Sequence, residues 1–522
     1  MTKSFKHAVG GSIPSSGSAL PSGGPKLRNA WSTALLLLSA FVHLPALLTS
    51  RPIDDDETYL TVMGRMLANG DRLDRDVVDR KPPLAIWAYR WLIPDSWSLR
   101  WVHVAAIMLV AVNGWVIAQI ALKLGANGTT ALTAGALSII GSALLGHADA
   151  HSANFEVWGL VPASLAVWCI LRSPRSLGWA AVGGAAVGVA TNCKQPYVFT
   201  LIAVVAFAAP RRRITVAFVA CITMLGVTAA IASISGWSDY WRWVWLENGD
   251  YIKIGATTIA LVALRQTAIF AALQWPLVAG AVARLQNWGA LRRDAASNDL
   301  HSTTHATDHE LLVWIVAAFI GVASGLRFFG HYYQQVVPPL AILGAFGIAS
   351  WPRARQLIIA ATTWAVVLFG LVIFPSLRGL EAAPSALASA LRHSTRPTDR
   401  VLVWGRLPDA SVRSHRITAG RFVHHAYLTG LWANADATTT AIMDQEPYRT
   451  RWREYLNDLR RDPPTLVVDA TPIVDGWSQF RITETPLNTL LRDCYMRSAQ
   501  IDGLTAFRLR QKDPPIACSG IR

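Results

Sequence analysis

Acids and bases crowd one early stretch, Arg51 to Trp91, which reads RPIDDDETYLTVMGRMLANGDRLDRDVVDRKPPLAIWAYRW. Asp54, Asp55, Asp56 and Glu57 stand in a row, and a carboxylate beside a substrate hydroxyl is a common means of taking its proton. Neighbouring acids repel one another, so Asp56 is expected to titrate above the usual carboxylate range. A plainer use competes. Asp54 is a good N-cap with Glu57 as capping-box partner, and acids suit the positive end of a helix. Capping occupies one or two acids, however, and four are present. Lys81, with Pro82 and Pro83, ends the stretch with a cation on a rigid turn, the residue type that meets a phosphate. Its plainer use is entry into a second helix.

Further signals lie far along the chain. His147, Asp149 and His151 alternate, a spacing that suits a metal as well as a solvated loop, so a divalent metal stays open. Asn154 and Glu156 begin an apolar segment, where an acid is costly. Lys194, in Asn192-Cys-Lys-Gln-Pro196, joins two apolar segments and is either a snorkelling cation or a ligand for an anion. Arg327, His331, Tyr332 and Tyr333 cluster before Pro338-Pro339. Tyrosines belong to the aromatic belt of a membrane protein, but Arg and His beside them exceed what a belt needs. Together these residues make the pattern of a site that handles a phosphate and a proton.

The elements that must carry them are membrane helices. Of 522 residues, 52% are hydrophobic and only 16% charged, against about a quarter in soluble domains. The net charge of +15 lies mainly in short links between apolar segments, which reflects topology rather than nucleic-acid binding. Apolar segments long enough or nearly long enough to span are expected at 31–49, 99–121, 128–147, 157–171, 177–193, 196–210, 214–234, 258–283, 311–326, 335–351 and 356–374. Lys and Arg favour alternate links, which places the N-terminus inside, the Arg51–Ser98 loop outside and 375–522 outside. Residues 1–30, rich in Gly, Ser and Pro, are expected to be a disordered cytoplasmic tail. Tyr59, Val62, Met63, Met66 and Leu67 share one helical face, so the acidic run is expected to open an interfacial helix that Gly70 stops. In 375–522, short strands are expected at Val401–Gly405, Thr465–Ala470 and Leu504–Leu509, with helices at Ala386–Arg392 and Glu446–Arg461, the outline of a small α/β domain. The segment 31–374 is then the membrane domain. Cys494 and Cys518 face an oxidising compartment on this topology and are expected to pair. No nucleotide-binding motif is present.

On these residues the chain resembles bacterial GT-C glycosyltransferases, which are similar to protein O-mannosyltransferases and the lipid A aminoarabinose transferase. The acidic run after the first span, Gly70-Asp71 and Lys-Pro-Pro-Leu84 carry the likeness. Asn154-Phe-Glu156, Lys194-Gln-Pro196, His331-Tyr-Tyr-Gln-Gln-Val-Val-Pro-Pro-Leu340 and Val401-Leu-Val-Trp-Gly405 add to it. The resemblance implies a mainly α polytopic fold of about eleven spans in the plasma (inner) membrane, with its active site outside the cytoplasm. It implies transfer of a hexose or pentose from a polyprenyl phosphate to an extracytoplasmic lipid, glycan or protein, with inversion. It assigns catalysis to Asp56, Glu57 and Glu156, with Asp55, Asp149 and Asn154 as secondary candidates. Lys81, Lys194, Arg327, His331, Tyr332 and Tyr333 are assigned to the donor phosphate. No cofactor is implied firmly. The rival readings are a lipid or solute transporter, a polymerase or ligase with a diphosphate-linked donor, and a non-catalytic glycolipid binder. Charges at one surface and the lack of two similar halves weigh against a transporter.

Overall fold

The computed structural model describes residues 25–145, 149–249, 251, 254–286, 302–351, 385–432, 443–474, 476, 480–498 and 500–510, with isolated helical positions between 356 and 367. Most of the tail expected over 1–30, most of the span expected at 356–374, His147 and Cys518 lie outside the described residues. Cys494 is disulfide-bonded.

The first half is almost wholly helical. Helices α1 (Pro25–Val42) and α2 (Leu44–Leu48) break at His43 and Pro45. Then come α3 (Asp55–Ala68), α4 (Pro83–Leu92), α5 (Arg100–Lys123), α6 (Gly128–Ser142), α7 (Phe155–Arg172), α8 (Leu177–Cys193), α9 (Thr200–Ala206) and α10 (Arg213–Ser235). A short α11 (Trp237–Tyr240) precedes α12 (Ala256–Leu273), α13 (Trp275–Gln286), α14 (Ser302–Ala323) and α15 (Val337–Ser350). The segments Arg100–Lys123, Phe155–Arg172, Pro210–Ser235 and Ala256–Leu273 are long and apolar enough to cross a membrane, and several shorter apolar helices pack among them. The single segment expected at 258–283 is two helices, because Gln274 turns its side chain back to the carbonyls of Gly141 and Leu144 and Pro276 cannot continue the ladder.

Small residues let these helices approach closely. A Cβ on Gly184 of α8 would lie 2.3 Å from the Ala220 carbonyl oxygen of α10. One on Gly347 of α15 would lie 1.7 Å from the Gly280 oxygen of α13. Neither contact survives a side chain without the helices moving apart.

The C-terminal part forms a five-stranded sheet in the order β2-β1-β3-β5-β4. It comprises β1 (Arg400–Trp404), β2 (Ile417–Thr418), β3 (Leu466–Asp469), β4 (Tyr495–Arg497) and β5 (Ala506–Leu509). β1 runs parallel to β2 and β3, and β5 runs antiparallel to β3 and β4. Alternation along β1 sends Val403 to one core with Leu387 and Leu391 of α16 (Ala386–Ser394), and Leu402 and Trp404 to another. That second core holds Trp452 and Tyr455 of α19 (Tyr448–Arg461), the fourth helix of this region after α17 (Asp409–Ser414) and α18 (Ala426–Thr429).

The first loop is clasped by this sheet. Arg400 donates to Asp71 at 2.7 Å, Tyr427 to Asp79 at 3.3 Å and Arg461 to Asp76 at 3.3 Å, and Val78 donates its N–H to the Arg421 carbonyl. The acids of this loop are therefore largely a docking surface for the C-terminal part. The helix expected to lie amphipathically in the interface, α3, is instead buried on nearly all sides between α4, α5 and the residues Val412, Ile417 and Val423. Its polar positions looked solvent-facing because the cover comes from a segment more than 340 residues away. α3 ends where expected, with Gly70 at φ 100°.

Candidate active site

The four acids at the start of α3 have four different surroundings. Asp54 caps the helix, its Oδ1 accepting the Glu57 N–H at 2.8 Å. Glu57 accepts the Ile53 N–H at 2.6 Å, one residue out of register for a capping box, and it also meets His103 at 3.1 Å and the Ala153 N–H. Its carboxylate is fully buried and saturated, so it fastens the loop to α5 and α7 and is placed as a structural residue. Asp55 is exposed and pairs with Arg406 at 3.2 Å. Asp55 also borders the smaller cavity, but of the four acids Asp56 is the one paired with Lys81 and His331.

Asp56 Oδ1 accepts from Lys81 Nζ at 2.8 Å, and its Oδ2 lies 3.7 Å from His331 Nε2. His331 in turn is hydrogen-bonded through Nδ1 to Asp149. Lys81 is delivered by the Pro82–Pro83 turn, with Pro83 opening α4, and its Nζ sits 4.0 Å from the centre of the Phe155 ring. Beyond it, Lys194 is buried against Glu156, and its Nζ lies 3.8 Å over the ring of Tyr332. Tyr332 shares a hydrogen bond with Tyr251 at 2.9 Å. Residues from positions 56 to 332 thus converge at one end of the bundle.

Charge balance reverses one expectation. Burial works to raise Asp56, but Lys81, His331 and Lys194 together hold its carboxyl well below the usual range. The acid that the crowding does raise is Asp54, through burial and then Glu57 and Asp56. The run of acids suggested repulsion because the three cations come from distant segments. Burial pulls Lys194 down to about 8 against the attraction of Glu156. His331 rises to about 8, since Glu156 and Asp149 overcome its burial.

The other assignments divide. Arg327 is buried, donates to the Tyr251 carbonyl and lies 4.6 Å over the Tyr251 ring, so it supports that tyrosine. Tyr333 turns away. Its hydroxyl meets Thr267 at 2.7 Å and its ring stacks on Phe270, so it holds α12 and lines neither cavity of the site. Asn154 is a buried N-cap position of α7 bonded to Ser152. His151 packs edge-on to His43 while Asp149 goes to His331, so the alternating His/Asp motif is split. Among the described residues, no group of three His, Cys, Asp or Glu is placed to hold a metal ion.

Two cavities meet at Lys81. The larger, about 290 Å³, is lined by Arg80, Lys81, Lys194, Gln195, Asn248, Ser324 and Tyr332 and by the apolar Pro196, Val198, Phe199, Val244 and Trp245. The smaller, about 70 Å³, holds Asp56 with Asp79, Arg406, His424 and the rings of Tyr59, Tyr251, Phe329 and Trp432. Arg80 and Tyr251 border both. Arg80 was missed in the sequence. Its guanidinium lies 3.5 Å over Tyr251 and 4.8 Å over Trp432, and its carbonyl accepts from Gln195. The signal was present, since Arg80 precedes Lys81, but the rings that seat it lie far along the chain. His424 was missed as well: it stacks on Tyr59 at 4.6 Å and accepts the Ala426 N–H.

A helical bundle of membrane character with a loop-borne acid at one end, capped by a small mixed sheet, is a fold this chain shares with solved structures. Two crystal structures of ArnT from Cupriavidus metallidurans share this fold. The apo form matches with TM-score 0.58 at 13% identity over 92% of this chain and 98% of that one. The form bound to undecaprenyl phosphate matches with TM-score 0.56 at 14% identity over 93% and 99%. The archaeal oligosaccharyltransferase AglB from Archaeoglobus fulgidus also aligns, with TM-score 0.47 at 12% identity over 94% of this chain and 75% of that one. No protein-family model and no curated protein matches the sequence.

Proposed function

We propose that the chain is a membrane glycosyltransferase that moves a sugar from a polyprenyl-phosphate carrier to an acceptor hydroxyl or amine outside the cytoplasm. The observation that carries this is the amphiphilic larger cavity. Three cations line a mostly apolar cavity, and Asp56 stands just across Lys81. A lipid phosphate is the ligand with that polarity. The fold shared with ArnT, one structure of which is bound to undecaprenyl phosphate, supports the same carrier.

The phosphodiester of the donor lies against Arg80, Lys81 and Lys194, with its lipid along Val198, Phe199 and Trp245. The acceptor enters the smaller cavity and donates a hydrogen bond to Asp56. Its oxygen or nitrogen attacks the anomeric carbon from the face opposite the phosphate, and the C–O bond to phosphate breaks as the new bond forms. The anomeric centre is inverted. Charge grows on the leaving phosphate, where the cations stabilise it. The acceptor proton becomes strongly acidic only as the bond forms, so a carboxylate of low basicity suffices to receive it. As Lys81 turns toward the phosphate, its hold on Asp56 slackens, and Asp56 becomes a better base when donor is present. His331, held by Asp149, keeps positive charge beside the carboxylate.

Eleven spans, an inner-membrane location and an outward-facing site belong to the same reading, and reporter fusions after Arg212 and Arg522 test it by reporting opposite sides. The carrier is tested by mass spectrometry of lipid retained through purification. A polyprenyl phosphate, bare or sugar-bearing, is expected. Retention of ordinary phospholipid alone, with no polyprenyl phosphate bound on addition, would contradict the assignment.

A further inference from the structure

A third cavity, about 400 Å³, lies apart from this site. Its walls come from the α2–α3 link at Ser50–Pro52, the α4–α5 link at Asp95–Ser98, Arg392 at the end of α16, and Asp409, Val412, Arg413 and His415 around α17. Arg65 of α3 and Arg416 stand beside these walls. Arg65 is nine residues beyond Asp56 on the same helix, roughly 14 Å along its axis.

The arginines here are held in an unusual way. Arg65 donates to the carbonyls of Ile93 and Pro94 and packs over Trp97. Arg392 donates to the carbonyl of Arg413. Arg416 donates to the carbonyls of Arg392, Thr395, Ser414 and His415 and to the Thr395 hydroxyl. Carbonyls fix a guanidinium in place without cancelling its charge. Of the carboxylates nearby, Asp409 is taken by Arg413, and Asp95 and Asp399 act on Arg65 and Arg416 only from a distance. Arg51 adds a further cation to the wall. The excess is felt by His415, which burial and then Arg392, Arg416 and Arg65 hold below its ordinary range. His415 keeps a left-handed backbone, φ 57°, and stacks flat on Trp97.

The links that wall the cavity have the character of a membrane boundary. Ser50, just past α2, accepts the N–H of Leu99, one residue before the spanning helix α5. Leu48, Trp91 and Trp101, beside these links in the chain, are exposed large apolar side chains of the kind that sit at a bilayer boundary.

We infer that this cavity is an anion site for the phosphate headgroup of a membrane lipid, with the carbonyl-fixed Arg392 and Arg51 in its wall and the charges of Arg65 and Arg416 behind it, where the first loop and the C-terminal part meet the bilayer. The site ties the outer end of α5, the acidic helix α3 and α17 to one lipid. It is separate from the carrier cavity, with which it shares no lining residue, and it does not depend on sugar transfer.

The test is native mass spectrometry of the full-length protein in detergent with phosphatidylglycerol, phosphatidylcholine or inorganic phosphate. One phosphatidylglycerol should be retained in preference to phosphatidylcholine. Arg392→Gln should weaken retention by about 10-fold or more, the usual scale for a lost charge-assisted contact, and Arg392→Lys should restore part of it. Lys81→Ala, which alters the carrier and acceptor cavities but no wall of this one, should leave it unchanged. Displacement of the lipid by inorganic phosphate would support an anion site that reads phosphate alone; resistance would support one that reads the whole headgroup. If Arg392→Gln does not fold, Arg51→Gln is the second variant. Equal retention of the two lipids, or equal retention of phosphatidylglycerol by the wild type and the Gln variants, would overturn the inference.

Discussion

Two lysine–carboxylate pairs stand side by side in this protein, and they are built differently. Asp56–Lys81 joins a loop helix to a proline turn and borders both cavities, with side chains 21% and 10% exposed. Glu156–Lys194 joins α7 to the end of α8 and is sealed from bulk solvent, at 2% and 6%, with Lys194 alone reaching the wall of the larger cavity. In the open pair either partner can turn to a ligand at little cost. In the sealed pair each charge depends on the other, because an unpartnered charge in low dielectric is expensive. The contrast separates the group that reacts from the group that frames the reaction.

The sealed pair gives the largest expected effect. Glu156→Gln should cost about 3 kcal/mol or more of stability by stranding Lys194, measured as a fall in the melting temperature of the purified protein. The double variant Glu156→Gln/Lys194→Met should recover most of that loss. If its donor affinity also stays normal, Lys194 is a framing residue only. If its affinity falls, Lys194 reaches the phosphate as well.

Next in size is the cation cradle of the larger cavity. Arg80→Gln is expected to weaken donor binding by roughly 10- to 100-fold, the worth of one charge-assisted bond, with little change in folding. Lys81→Ala should do the same and also slow turnover, since the leaving phosphate loses a cation that stabilises its growing charge. Unchanged donor affinity in both variants would break the comparison, because the open pair would then have no ligand to open for.

A smaller effect concerns pH. His331 has its pKa raised to about 8 and Lys194 has its lowered to about 8, so both are cations below that value and lose charge above it. Donor affinity should therefore fall as pH rises from 7 to 9, by about 10-fold at most. His331→Gln should flatten part of the fall. For stability the two shifts act oppositely: the His331 contribution is complete below about 6.5 and is lost as pH passes about 8, while the lowered Lys194 value makes stability rise with pH above about 8.

The helical, membrane-like character was legible in the sequence, because apolar length is a local property of the chain. The strands at Val401, Leu466 and Ala506 were also visible as short apolar runs between turns. The short strands β2 and β4 gave no such run. Asp56, Lys81, Lys194 and His331 could be picked out because charge is rare in this composition. What could not be read was partnership. Asp56 looked crowded by acids, and its low pKa comes from residues up to 275 positions away. Glu57 looked reactive and is locked by His103 and two backbone N–H groups. Tyr333 looked like its neighbour Tyr332, but the tight turn at Gly330–Gln335 sends it to Thr267. Arg80 was hidden because the rings that seat it, Tyr251 and Trp432, have no pattern linking them to it.

The most direct measurement is turnover of a polyprenyl-phosphate sugar by purified Asp56→Asn, taken together with donor binding and melting temperature. Asn keeps the shape of the open pair and removes the proton acceptor, and Asp54 still caps the helix. We expect a melting temperature close to wild type, retained donor binding and a loss of turnover of ~10²-fold or more. Near-normal turnover in Asp56→Asn would contradict the assignment of Asp56 as the base.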